Sequence, residues 1–332
     1  WPQLSWMFTT FHMGPYQPLA WLSLAVDHAL WGLGGPDQFP QAPRYHFTNV
    51  LIHALAAVAF FLLARRLLAR VFSRSPRDLG FAAFVAAAFF AIHPLRVESV
   101  AWVTERRDVL CGLFYVLAAW AWLVYAEARS GLLAGSGRLA ATLFSSLGAL
   151  CAFWIALDLS DPQVLALRTS GIAWLCAGGA LLALGAFAAA NGSLRAFGLY
   201  AAVIALFLCA LLSKGLVLVL PAVLLVADVW PLRRVRDART LVAAAIEKAP
   251  LFALSVVFAR IAVWGQQWIP GLMASWTEHT LGERVLQAFF GLVFYVRKTI
   301  LPLGLAPIYE LPDALRLAEP RYYLSIAAVV AG

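Results

Sequence analysis

Apolar residues run along this chain in long unbroken stretches, with charges confined to short intervals between them. Stretches of this kind are helices in a bilayer, because a spanning strand would alternate polar and apolar residues over about ten positions. The pattern predicts crossings over 49–68, 81–92, 109–125, 139–157, 171–190, 197–212, 216–230 and 249–264. The expected fold class is all-α, a polytopic transmembrane helical bundle.

Two stretches depart from this pattern. Residues 1–35 are aromatic and are broken by Gly14-Pro15, Gln17-Pro18 and Gly34-Gly35-Pro36. Within them Leu19 to Leu33 predicts a helix lying in the interface, with Leu22, Val26, Ala29 and Leu33 on one side and Ser23, Asp27 and His28 elsewhere. Residues 285–301 are amphipathic and suit either a span or a surface helix, and the side of the 301–312 loop is left open. No repeat of constant period is visible. The expected organisation is a single membrane domain over 1–332, truncated at both ends, with 1–35 an outer-face interfacial segment and 36–332 the bundle.

Composition sharpens the class. The chain is 63% hydrophobic and 13% charged, against about 45–50% apolar and about 25% charged in soluble domains. Its net charge of +8 comes from arginines gathered at span ends, Arg65, Arg66, Arg70, Arg74 and Arg77 in one loop and Arg233, Arg234, Arg236 and Arg239 in another. Such clusters mark the cytoplasmic side and account for the basicity without a nucleic-acid partner. Counting spans from them puts His93 to Asp108 outside, while the Asn191-Gly192-Ser193 sequon falls inside and carries little weight. Cys111, Cys151, Cys176 and Cys209 lie in or beside apolar runs without metal-ligand spacing, as packing residues do.

The chemistry is sought at 93–108, where charges sit at the mouth of a helical hairpin. One face is expected to collect Gln17, Asp27, Arg44, His46, His93, Glu98, Arg106, Arg107, Asp108 and Lys214, since ionisable groups at membrane segments face cavities or each other. Lys214 interrupts an apolar stretch from Phe197 to Trp230 and reads either as a lysine snorkelling to headgroups or as a point charge for a lipid phosphate. Arg106 and Arg107 beside Asp108 read either as an interfacial ion set or as an anion site. His93 and Glu98 are five apart, which does not stack them on a helix, so no metal site is assigned. His53 reads as a packed histidine donating to a neighbouring helix.

Three runs carry a resemblance: Pro15-Tyr16-Gln17-Pro18-Leu19-Ala20-Trp21, Tyr45-His46-Phe47-Thr48-Asn49-Val50-Leu51-Ile52-His53, and His93-Pro94-Leu95-Arg96-Val97-Glu98-Ser99 continuing through Thr104-Glu105-Arg106-Arg107-Asp108. They resemble the membrane part of the transmembrane-and-tetratricopeptide-repeat O-mannosyltransferases, bacterial members especially. Ser213-Lys214-Gly215, Asp228-Val229-Trp230-Pro231-Leu232 and Tyr295-Val296-Arg297-Lys298 continue the match in order. The resemblance implies a GT-C glycosyltransferase fold in a bacterial inner (plasma) membrane. It implies a polyprenyl-phosphate sugar as donor, inverting transfer at the outer face, and a protein or glycan hydroxyl as acceptor. It also implies an acidic residue upstream of Trp1 that acts as base on the acceptor, and tetratricopeptide repeats beyond Gly332. Relatives commonly have His or Arg where Gln17 stands.

The expectation is therefore a membrane glycosyltransferase moving a mannose-like sugar. His93, Glu98 and Asp108 are its catalytic candidates, Lys214, Arg106, Arg107, His46 and Gln17 the donor-phosphate group, and membrane lipids its surroundings. No cofactor is bound covalently, and a divalent metal is left open. The alternative is a non-catalytic membrane scaffold or transporter that keeps the fold.

Overall fold

A computed structural model describes residues 2–12, 14–32, 42–128, 194–267, 280–306, 309 and 319–331. The crossings expected over 139–157 and 171–190, and the sequon at Asn191, lie outside the described residues. Within them the structure is helical, and four helices are long and apolar enough to cross a membrane, or five if one bent pair counts as a span. This is the expected all-α polytopic bundle.

The chain opens with α1 (Pro2–Thr9) and α2 (Pro18–Trp31). The helix α3 (Ala42–Val71) is longer than the expected span, and its last turns carry Arg65, Arg66 and Arg70. Ser75 starts α4 (Pro76–Ile92) by accepting from the Asp78 amide at 3.2 Å, with Pro76 in the first turn where its missing N–H costs nothing. His93-Pro94 ends it, because a residue before proline is driven out of the helical region. The 94–105 segment is not an open loop. A 3₁₀ turn (Pro94–Arg96) and α5 (Val97–Ala101), together bent 51° from α4, are followed by a second 3₁₀ turn (Val103–Glu105).

The centre of the molecule is α6 (Arg106–Ala128), packed on α3 and on α7 (Leu194–Ser213). In its apolar window 61% of residues are buried against 22% for α3, so α6 is the inner helix and α3 largely faces lipid. Ala118, Ala121 and Ala210 are buried at these contacts, and in lipid such small residues let helices approach closely. Trp122, Tyr200, Phe207 and Leu211 fill the core. On the lipid side, Phe81, Phe84 and Phe89 of α4 are exposed.

The predicted crossing at 216–230 is shorter and broken: a 3₁₀ segment (Gly215–Val219) leads into α8 (Leu220–Val229). Pro221 lies in the first turn of α8, where it removes no intrahelical bond. Next come α9 (Ala238–Glu247) and α10 (Ala249–Gln267). Gly265 of α10 meets the Gly14 carbonyl so closely that an added Cβ would collide with it and with Phe11, which seats the α1–α2 turn on α10.

Last is α11 (Leu281–Ile300), opened by a capping box between Thr280 and Glu283, with α12 (Pro320–Ala331) packed on it. Among the described residues α11 is not one of the helices apolar enough to cross. A hydrogen bond from His93 Nε2 to the Thr299 carbonyl, 2.8 Å, ties it to the end of α4.

Candidate functional site

Two polar layers lie at opposite ends of α6, about 21 Å apart between Asp108 and Trp122 at about 1.5 Å per residue. The arginine-rich end is closed by ion pairs. Arg66 and Arg70 hold Glu127 at 2.5 and 2.8 Å. Deeper in, Asp228 and Glu247, both fully buried, meet Arg234 at 2.9 Å each, and Lys248 reaches Asp228 at 2.5 Å. Trp122 donates to Asp228 at 3.2 Å and Tyr125 to Glu247 at 2.6 Å.

Two carboxylates and two cations neutralise each other in this layer. Arg233, at φ 52°, tightens the turn that aims Arg234 inward. Burial opposes the Arg234 charge, but Glu247 and Asp228 together outweigh it and raise its pKa. For Lys248 burial prevails over the same carboxylates, and its pKa is lowered. The layer is self-satisfied and structural in character.

The opposite end is different. Lys214 comes directly after α7, and its backbone N–H still bonds the Ala210 carbonyl at 3.0 Å, so its side chain leaves from a fixed point. Its ammonium sits on the carboxylate of Asp108 and lies 3.4 Å from Glu105. Asp108 also accepts from Ser99 at 3.0 Å. Arg107 pairs with Glu105 and reaches Gln17 at 3.5 Å.

Lys214 and Leu216 line both of two cavities. The larger, of about 650 Å³, runs between α3, α4 and α6 and is mostly apolar, with Phe60, Ala86, Phe90 and Val116 along it and Arg96, Ser99 and Asp108 at its polar end. The smaller, of about 430 Å³, is bounded by Tyr16, Gln17, Arg107, Phe258 and Gln266. Both are of the size that small-molecule sites take. Asp108 is the one carboxylate among the described residues lining them.

The expected convergence is partly realised. Gln17, Arg107, Asp108, Lys214 and His93 line one or both cavities, while Arg106, Glu98 and His46 line neither. Arg106 is wholly buried, held by Asp27 at 2.6 Å, Ser23 at 2.9 Å, the Tyr45 carbonyl at 3.0 Å and the Asn49 side chain. It fastens α2 and α3 to α6. On α2 this turns Ser23 and Asp27 into the protein and leaves Val26 and Leu30 exposed.

Glu98 is exposed on α5, and His46 is half-buried on α3. His93 is buried with both ring nitrogens in use. Its Nδ1 accepts from the Leu95 amide at 3.2 Å while Nε2 donates to the Thr299 carbonyl, so the ring shapes the cavity rim. His53 behaves as expected, donating to the Ala91 carbonyl of α4 at 3.0 Å.

Sequence reasoning passes over Arg96, Ser99 and Glu105 as site residues. The signal is a spacing of three. His93, Arg96 and Ser99 all line the larger cavity, and a spacing of three puts residues on one face both in a 3₁₀ turn, as from His93 to Arg96, and in an α-helix, as from Arg96 to Ser99. Among the described residues no three metal-ligating side chains come together.

No family model and no solved structure matches the chain. Parts of it are similar to protein O-mannosyl-transferase TMTC2 of Mus musculus, 32% identical over 114 residues that cover 34% of this chain and 12% of that protein. Protein O-mannosyl-transferase TMTC2 of Homo sapiens is 32% identical over 131 residues, 38% of this chain and 14% of the relative. Protein O-mannosyl-transferase Tmtc1 of Drosophila melanogaster is 33% identical over 105 residues, 32% and 10% respectively. The chain thus matches between a tenth and a seventh of the length of these curated relatives. The similarity to the TMTC O-mannosyl-transferases covers about a third of this chain.

Proposed function

We propose that this chain forms the membrane part of a glycosyltransferase that moves a mannose-type sugar from a polyprenyl-phosphate donor to a hydroxyl on a protein. On this reading the transfer occurs at the face opposite the arginine clusters, the outer face, in a fold of the GT-C kind. The observation that carries it is the position of Lys214, a cation that lines both a larger cavity and a smaller one, each mostly apolar. An isoprenoid chain suits the first. A sugar and an acceptor suit the second, where Tyr16 and Phe258 offer rings and Gln17 and Gln266 offer amides.

In the reaction, the acceptor oxygen forms a bond to the anomeric carbon and the bond from that carbon to the phosphate oxygen breaks. The lipid phosphate leaves with the electron pair. Lys214 stands where that charge develops, and a preorganised cation in a dry site is worth far more there than in water. The acceptor's proton goes to a carboxylate base, while Asp108, which lines the lipid cavity and not the acceptor one, orients the Lys214 ammonium. Partial similarity to relatives named protein O-mannosyl-transferases supports the same reading.

The test is an assay of the purified full-length protein with a panel of polyprenyl-phosphate sugars and acceptor peptides, tracking released lipid phosphate. Sugar transfer abolished by Lys214→Ala is the expected result. No release from any donor would remove the reading and leave a scaffold.

A further inference from the structure

Glu105 is buried and lines neither cavity, yet its carboxylate is shared by two cations that do. Arg107 grips it as a fork, one oxygen accepting from Nη2 and the other from Nε at 3.2 Å. That second oxygen also lies 3.4 Å from the Lys214 ammonium. Arg107 lines only the smaller cavity, whereas Lys214 lines both. The carboxylate acts from a fixed point. Glu105 donates its backbone N–H to the Trp102 carbonyl at 3.0 Å, the Asn49 amide holds that carbonyl at 3.2 Å, and the next residue is the buried Arg106.

The two carboxylates that hold Lys214 are not equivalent. Asp108 is 30% exposed and also accepts from Ser99, so water and a hydroxyl keep it satisfied when Lys214 moves. Glu105 has a side chain only 8% exposed, and its cations are Arg107 and Lys214. A buried carboxylate cannot cheaply go without a cation. When one of the two leaves, Glu105 draws the other closer.

We propose that Glu105 is a positioning residue that couples the two cavities: an occupant that draws Arg107 into the smaller one tightens the hold on Lys214, and an occupant that draws Lys214 tightens the hold on Arg107. The coupling is reciprocal, as linkage between two sites requires. Its bearing on sugar transfer rests on the function proposed above, where donor and acceptor compete for one counter-charge and each raises the KM of the other. As the leaving phosphate gains charge and takes Lys214, Glu105 pulls Arg107 back from the acceptor side and favours release of the glycosylated product.

Amine acetylation tests the coupling without any substrate. Lys214, Lys248 and Lys298 are the lysines of this sequence, and the last two are buried, so Lys214 is the one a reagent reaches readily. The probe is acetic anhydride in trace amount, applied to the full-length protein in neutral detergent and followed residue by residue by mass spectrometry. Arg107→Gln is expected to slow acetylation of Lys214 by about 3- to 10-fold, within the range of coupling between residues in contact, because Glu105 then depends on Lys214. Glu105→Gln keeps the side chain's size and is expected to speed it by a similar factor. In the double variant, Arg107→Gln should add nothing to Glu105→Gln. Lys248, buried in the layer at the other end of α6, reports the fold and should stay at its wild-type rate.

Unchanged Lys214 acetylation in Arg107→Gln overturns the proposal. So does a slowing that persists in the Glu105→Gln background, which would reflect direct repulsion between the two cations rather than a shared carboxylate. If Glu105→Gln unfolds, seen as a rise at Lys248, Glu105→Asp takes its place: with the charge kept and the reach shortened, Arg107→Gln should slow Lys214 less than in wild type, and equal slowing overturns the proposal. In the transfer reaction the donor KM should rise with acceptor concentration in wild type and not in Glu105→Gln, and the same dependence in both counts against it. Coupled acetylation without sugar transfer from any donor would leave the role of Glu105 standing and sink the transferase reading. Transfer without the coupling would do the opposite.

Discussion

The ammonium of Lys214, just beyond α7, rests on the carboxylate of Asp108 in the first turn of α6, joining two chain segments that are remote in sequence. The pair is partly open, at 22% and 30% side-chain exposure, and it stands where two cavities meet. A cation in that position is more valuable to a reaction than to the fold. An exposed pair contributes only about 0–1 kcal/mol to stability, whereas one preorganised charge at a developing anion is worth about 10²–10³ in rate.

Lys214→Ala is therefore expected to lower sugar transfer by about 10²–10³-fold. Its thermal midpoint should stay close to wild type, because Asp108 keeps Ser99 and Glu105 keeps Arg107. Lys214→Arg should recover part of the rate. Turnover and thermal unfolding measured on the same preparations check this, and a variant that loses both together would make Lys214 a folding residue.

His93 carries a second prediction. Both of its ring nitrogens serve the backbone, one toward Leu95 and one toward Thr299. It positions α11 against the end of α4 and holds no free nitrogen for a proton transfer. His93→Phe should loosen the end of α11 by about 0.5–1.5 kcal/mol, the net worth of one hydrogen bond, and raise amide exchange around Thr299. Deuterium exchange resolved to that segment is the measurement. Unchanged protection with lost turnover would return His93 to the catalytic group.

The bundle is legible in the sequence because spanning helices announce themselves locally, by run length and by arginines at their ends. His53 is legible for the same reason, a lone polar group in an apolar helix having nowhere to turn but a neighbouring backbone. The division of labour among charges is not. Arg106 and Arg107 are adjacent and identical in kind, yet one is wholly buried against Asp27 while the other borders a cavity. Only the packing of α2, far back in the chain, decides between them. The Asp228–Arg234–Glu247–Lys248 layer escapes sequence reading because its members come from separate segments, and the arginine that enters it sits in a cluster that otherwise reads as orientation.

That layer also makes stability depend on pH. Burial lowers the pKa of Lys248 in the folded protein. Between that depressed value and the ordinary lysine value of about 10.5 the unfolded chain binds the proton and the folded one does not, so stability rises with pH across this window. Arg234 has a raised pKa, and its contribution is kept throughout because it would be lost only above the ordinary arginine range. Wild type should therefore gain thermal stability relative to Lys248→Met as the pH is raised toward 10.5. Parallel curves for the two proteins would place the lysine's charge elsewhere.

The buried guanidinium of Arg106 gives the sharpest separation of structure from chemistry. Removing it leaves Asp27, only 4% exposed, as a carboxylate with no cation, and breaking such a pair costs about 3–5 kcal/mol. Arg106→Ala should therefore fail by unfolding, with a large fall in thermal midpoint, whatever ligand is present. Replacing both partners with apolar residues removes the stranded charge, so Arg106→Met with Asp27→Leu should recover much of that stability. Asn49 is the remaining liability, because its carbonyl oxygen also accepts from Arg106 while its amide holds the Val100 and Trp102 carbonyls at 3.2 Å. If the double variant regains its midpoint and also transfers sugar, Arg106 is a strut and the donor phosphate lies elsewhere.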